Sequence, residues 1–356
     1  MKWLVSTWQG PEALFAPVAE PWRVRAWLTP FALMGGLALL IAGLAAFIMA
    51  AVAAAPLAYD FSNQRMMVEI EILYMAIMAV LGFWMVTAWI RHVEGRGRDS
   101  IGLPVRFGFL RQISGLLIGA GIAWLIGVAG WALSLWFGEG VDPYPGLQAY
   151  WRTWQALAPR DMILLGLLAA SLWAYAWFEE IVFRGWLLSA MSLRWGAGIA
   201  CLASSLLFGL YHMQFYEDGW LIGGFWIGAI MLSGIFFCLV AIWQRSLYLA
   251  AGLHAGFNIW IIVGLSLDNI GLSPDQPVGG AIMDALNWSA DYGEGDTVFL
   301  TWPDLADPIV FAILTLALAW VLRKRLTQAP QQVRKPGPSA PQMETEDAPN
   351  EEVRLI

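Results

Sequence analysis

The stretch Met162-Ile163-Leu164-Leu165-Gly166-Leu167-Leu168-Ala169-Ala170 runs on, with no turn signal, into Glu179-Glu180-Ile181-Val182-Phe183-Arg184. It opens like a membrane-spanning helix and then places two carboxylates and an arginine where charge is costly and rare. The chain around it has the same apolar character. Of 356 residues, 59% are hydrophobic and only 13% charged, about half the charge of a soluble domain. Mean hydropathy is +0.61. The 22 tryptophans suit amphipathic rings at the water–lipid boundary. A Trp-rich soluble core would not explain repeated uncharged runs of spanning length. The expectation is an all-α, polytopic transmembrane helix bundle.

Working outward, eight spans are expected: about 27–55, 70–90, 113–137, the segment from 162 to the break at Gly196, 197–213, 220–243, 247–267 and a short 308–322. Gly115-xxx-Gly119 in the third span has the spacing that lets another helix approach closely. Residues 1–26 form an N-terminal segment without the pattern of a cleaved signal peptide. Residues 27–327 form the transmembrane domain, with the chemistry expected in 162–267. Residues 328–356, rich in Pro, Gln and Glu, are expected to be a disordered tail.

Basic residues orient the bundle. Lys2, Arg23 and Arg25 precede the first span. Arg91, Arg96, Arg98, Arg106 and Arg111 follow the second. Arg194, Arg245 and Arg323-Lys324-Arg325 follow the fourth, sixth and eighth. The segment 268–307 carries eight acidic residues and no basic one. This alternation puts both termini in the cytoplasm, in a bacterial inner (cell) membrane. The net charge of -7 is localised and implies no nucleic-acid partner. Cys201 and Cys238 lie in apolar runs and read as small core residues.

Residues i and i+4 share a helix face, so Glu180 and Arg184 form a natural ion pair. Glu179 points elsewhere and is left as the free carboxylate. Of three histidines, His92 lies in the arginine-rich loop. His212 and His254 lie inside spans, His212 one turn after Phe208 and His254 one turn before Asn258. Gly252 and Gly256 flank His254 and leave room for a close neighbour. At 1.5 Å per residue, Glu179 lies ~22 Å from Arg194, and His212 ~24 Å from Gly196, so these two meet at one level. His254 lies only ~14 Å from Arg245, about two turns shallower. Taken singly, each residue has a structural reading. Intramembrane His and Asn often join helices, and charges near a helix end can snorkel. Their occurrence together, in the fourth, fifth and seventh spans, favours chemistry.

Glu179-Glu180-x-x-x-Arg184, Phe208-x-x-x-His212 and His254-x-x-x-Asn258, in this order, resemble the CPBP family of intramembrane proteases. That family includes the type II CAAX prenyl endopeptidases and the Abi proteins. The resemblance covers about 162–267. It implies an endopeptidase acting on a membrane-associated peptide or protein, such as a CAAX-type prenylated one, in contact with membrane lipid. It implies that Glu179 and His212 activate a water, that His254 and Asn258 assist at the water or the oxyanion, and that Glu180 and Arg184 support the site. A zinc ion held by Glu179, His212 and His254 is the alternative to a water activated without metal. Two other functions fit the same residues. One is a non-proteolytic membrane scaffold whose polar cluster locks the bundle. The other is a proton-coupled transporter, against which stands the absence of an evident internal repeat.

Overall fold

The computed structural model describes residues 14–15, 27–54, 63–104, 108–138, 147–212, 220–272, 276–286 and 303–326. Most of the N-terminal segment and the whole 328–356 tail lie outside the described residues, which are helical with no strand among them. Helices stand at each of the eight expected positions. They are α1 (Thr29–Ala54), α2 (Gln64–His92), α3 (Phe109–Trp136), α5 (Pro159–Glu179) continued by α6 (Leu188–Tyr211), α7 (Trp220–Gln244), α8 (Tyr248–Leu272) and α10 (Ala306–Leu326). Six helical segments among the described residues are long and apolar enough to cross a membrane. The protein is an integral, multi-pass membrane protein. Side chains such as Trp84, Leu117, Leu206 and Leu316 point outward, as lipid-facing positions do.

One of the six segments, Pro159–Tyr211, is 53 residues long, far more than the ~20 needed for one crossing. It holds the fourth and fifth expected spans and breaks at Gly196, where φ is 77° and ψ 165°. That backbone region is almost closed to residues with a Cβ. The two arms fold back on each other: Ser204 Oγ donates to the Phe183 carbonyl at 2.6 Å, and the Phe183 and Phe208 rings meet at 5.2 Å. Gly196→Ala is expected to destabilise the protein by about 1–3 kcal/mol, read as a lowered unfolding temperature in detergent. An unchanged temperature would show that the hairpin does not depend on this backbone.

The first arm is the hub of the bundle. Every residue from Phe178 to Ser192 is buried, so this helix is covered on all sides, as a central helix must be. Its middle, Glu180–Leu187, is π-helical, where a regular α-helix was expected. A π turn leaves backbone groups to be satisfied from outside, and Ser204 supplies one such bond to Phe183.

The expected glycine contacts hold. A Cβ on Gly119 would overlap the Leu253 carbonyl, and one on Gly256 would overlap that of Leu116. Helices α3 and α8 therefore cross backbone to backbone, and this fixes the rotation of α8.

Two connections expected to be polar loops contain helices. α4 (Leu147–Ala156) precedes α5, and α9 (Val278–Leu286) follows α8. α9 buries Ile282 and Ala285 and sets Gly279 against the backbone of Arg65 on α2. It is only nine residues long, about two and a half turns, and the flanking acidic residues masked that periodicity. The arginine-rich loop is also more ordered than a solvated connection. It contains a 3₁₀ turn at Arg98–Ile101 and buries Glu94, Arg96 and Ile101.

Candidate functional site

Three helices deliver the site: the α5–π–α6 arm carries Glu179, Glu180 and Arg184, the second arm of α6 ends at His212, and α8 carries His254. Glu179 is 2% exposed, Glu180 and Arg184 0%, and His254 4%. Such burial of charge requires partners, and each group has one. Glu180 Oε1 lies 3.0 Å from an Arg184 terminal nitrogen and accepts from His254 Nδ1 at 2.9 Å. His254 Nε2, on the far side of the ring, faces Glu179 Oε2 at 3.4 Å. The other Glu179 oxygen faces His212 Nε2 at 3.9 Å. His212 Nδ1 donates to the Phe208 carbonyl at 2.8 Å. A carbonyl only accepts, so the proton of a neutral His212 sits on Nδ1 and the lone pair of Nε2 points to Glu179.

Two expectations need correction. Glu179 was expected to point away from its neighbour, yet Glu179 and Glu180 clasp the two nitrogens of one imidazole. The π turn starts at Glu180, and its wider winding spreads successive side chains less than an α-helix does. His254 was expected about two turns too shallow, yet it reaches Glu179. The α7–α8 turn is sunk against the first arm. Leu247 is fully buried, donates to the Gly102 carbonyl at 3.0 Å and packs beside Gly185. Gly185 is nine residues from Arg194, or ~14 Å in. Seven residues of α8 from Leu247 add ~10 Å, which brings His254 to the depth of Glu179.

An aromatic shell holds these groups. Phe208 packs edge-on against His212 at 4.8 Å and His254 at 5.8 Å, and lies 3.9 Å beneath the Arg184 guanidinium. Phe237 on α7 stacks on His254 at 5.1 Å and 19°. Nothing in the sequence marks Phe237 out among the apolar residues of its span. Tyr175 and Tyr211 share a 2.7 Å hydroxyl–hydroxyl hydrogen bond. Tyr175 is one turn before Glu179 and Tyr211 adjoins His212, so spacing could have revealed this pair. Asn258 is half-buried one turn beyond His254 and makes no hydrogen bond to the described residues. His92 ends α2, exposed and away from the cluster.

A second buried polar group, unread in the sequence, braces the π segment. Glu94 Oε1 accepts from Trp89 Nε1 and Trp186 Nε1, both at 3.0 Å. Arg96 pairs with Glu94 and donates to Ser189 Oγ at 2.8 Å. Trp186 belongs to the π segment itself. Trp186→Phe removes one donor to a buried carboxylate. It is expected to cost about 1–3 kcal/mol, seen as a lower unfolding temperature, with no loss if this bond is incidental.

Both Nε2 atoms face Glu179 with their Nδ1 atoms held by other groups, an arrangement that also orients metal-bound histidines. Among the described residues, however, no three or more His, Cys, Asp or Glu side chains stand so that they could hold a metal ion. The Glu179 oxygens themselves occupy the positions facing the two Nε2 atoms.

Residues 161–260 match the family model described as type II CAAX prenyl endopeptidase Rce1-like. This agrees with the resemblance read from the three motifs and indicates a membrane protease in general. The matched range contains Glu179, Glu180, Arg184, Phe208, His212, His254 and Asn258. No curated protein and no solved structure matches the chain.

Proposed function

We propose that this protein is an intramembrane endopeptidase in which Glu179 and His212 activate a water for attack on a peptide carbonyl. The observation that carries the reading is the placement of the Glu179 carboxylate between His254 Nε2, 3.4 Å away, and His212 Nε2, 3.9 Å away, with both rings tethered at Nδ1. A gap of 3.9 Å is too long for a direct hydrogen bond. It lets one water oxygen to the side of the pair reach both groups. Glu179 takes the water proton as general base, and the nascent hydroxide attacks the carbonyl carbon. The proton then passes to the leaving amine. His254 steadies Glu179 and the water, and Asn258, one turn along, supplies a side-chain donor toward the oxyanion. Glu180 and Arg184 act through His254, since Glu180 fixes that ring.

The substrate we assign is a membrane-associated protein of the CAAX prenylated type. Both termini lie in the cytoplasm of a bacterial cell membrane, from the distribution of arginine. The test is cleavage of a farnesylated CAAX peptide by the full chain in lipid nanodiscs, with wild type, His212→Ala and His254→Ala compared. Each variant is expected to lose about 10²-fold or more while eluting as a folded species. Activity is expected to survive a metal chelator. Loss on chelation with recovery on adding zinc would replace the metal-free mechanism. Folded variants cleaving at the wild-type rate would leave the cluster a structural lock, as in a scaffold.

A further inference from the structure

Along the C-terminal half of α8, away from the Leu247 turn, a cavity of about 510 Å³ opens between α3, α7, α8 and α10. Its size falls within the range of small-molecule pockets. Ala123, Gly127 and Gly130 give it room along α3. Trp131, Tyr150, Trp226 and Trp260 supply aromatic walls, and Tyr150 meets Trp260 edge-on at 5.7 Å, which fixes one corner.

One end of this apolar space is acidic. Asp268, Asp304 and Asp307 line it, and no Lys, Arg or His is among the described lining residues. Asp307 Oδ1 is buried without a hydrogen-bond partner among the described residues, as is the indole nitrogen of Trp131. The positive end of the α10 dipole accounts for carboxylates near that helix start. It leaves the Asp307 oxygen unsatisfied, and it does not account for Asp268. Asp268 sits near the C-terminal end of α8, where the dipole disfavours negative charge. A buried carboxylate oxygen without a partner is costly, and a cation in the cavity would relieve it. The carboxylates are not arranged to hold a metal ion, and the walls are rings and methylenes. A cation with an apolar body satisfies both the charge and the walls, through the carboxylates and the aromatic faces together.

We propose that this cavity binds an organic ammonium ion carrying an apolar or aromatic body. Asp268 and Asp307 face the charge and the aromatic walls enclose the body. The site is separate from the Glu179 cluster but adjoins it. Phe311 lines the cavity, meets Phe237 at 6.1 Å, and Phe237 stacks on His254.

The test measures equilibrium binding of radiolabelled benzyltrimethylammonium to the full chain in nanodiscs, with neopentylbenzene, its uncharged carbon isostere, as competitor. Saturable binding is expected, with the isostere competing at least tenfold more weakly than unlabelled cation. Asp307→Asn and Asp268→Asn are each expected to weaken binding about tenfold. Asp307→Glu should retain it, and Gly264→Trp, which fills the cavity, should abolish it. Glu179→Gln should bind like wild type, so a failure of the peptidase reading leaves this result intact. Absence of saturable binding, or equal competition by the isostere, overturns the proposal. The competition on wild type decides even if an Asn variant does not fold.

Discussion

Glu179→Gln is expected to lower peptide cleavage by about 10²–10⁴-fold, the range that a positioned general base contributes, without unfolding the protein. Glutamine has the size of glutamate, so the contacts of 3.4 and 3.9 Å to the two histidines persist as neutral ones. Only proton acceptance is lost. The KM for the peptide should change little, because the carboxylate acts on water rather than on the bound chain. Single-turnover cleavage in nanodiscs reads the effect directly. A folded Glu179→Gln protein with wild-type turnover would remove the base from the mechanism and leave the cluster without a reaction.

Arg184→Ala should have the largest effect on stability, about 3–5 kcal/mol, because it strands a buried partner charge. Arg184 and Glu180 are both 0% exposed. No hydrogen bond of good geometry joins the guanidinium nitrogens to a neighbour. The side chain is held by its charge pair at 3.0 Å and by the Phe208 face at 3.9 Å. Arg184→Lys keeps the charge and loses the planar stack, so it should fall between alanine and wild type. The double variant Glu180→Gln, Arg184→Met removes both charges and should recover most of the stability. It should not recover activity, because His254 then lacks its anchoring carboxylate. Equal unfolding temperatures for wild type and Arg184→Ala would show that the pair contributes nothing to the fold.

Part of this arrangement is legible in the residues. Spanning helices follow from apolar length, the break at Gly196 from composition, and close approach at Gly119 and Gly256 from glycine spacing, although that spacing does not say that α3 and α8 are the two that meet. The Glu180–Arg184 pair follows from i, i+4 geometry and survives the π turn. The Glu94–Arg96 brace was not legible, because Arg96 looks like any of the arginines that follow the second span. Its burial depends on Trp186 and Ser189, about ninety residues away. Nor was the cavity legible, since its lining comes from four long helices and the segments between them.

The sequence by itself determined that the chain lives in a membrane, where its spanning helices run, and which few polar residues stand within them. Those are matters of local periodicity and of the cost of charge in lipid, and a single segment carries each. Only the tertiary structure decided that Glu179, His212 and His254 share one level. That depends on how far the α7–α8 turn sinks against Gly102 and Gly185, and on how a π turn aims two adjacent carboxylates. Offsets and rotations of this kind are set by packing between distant segments, which no local spacing encodes.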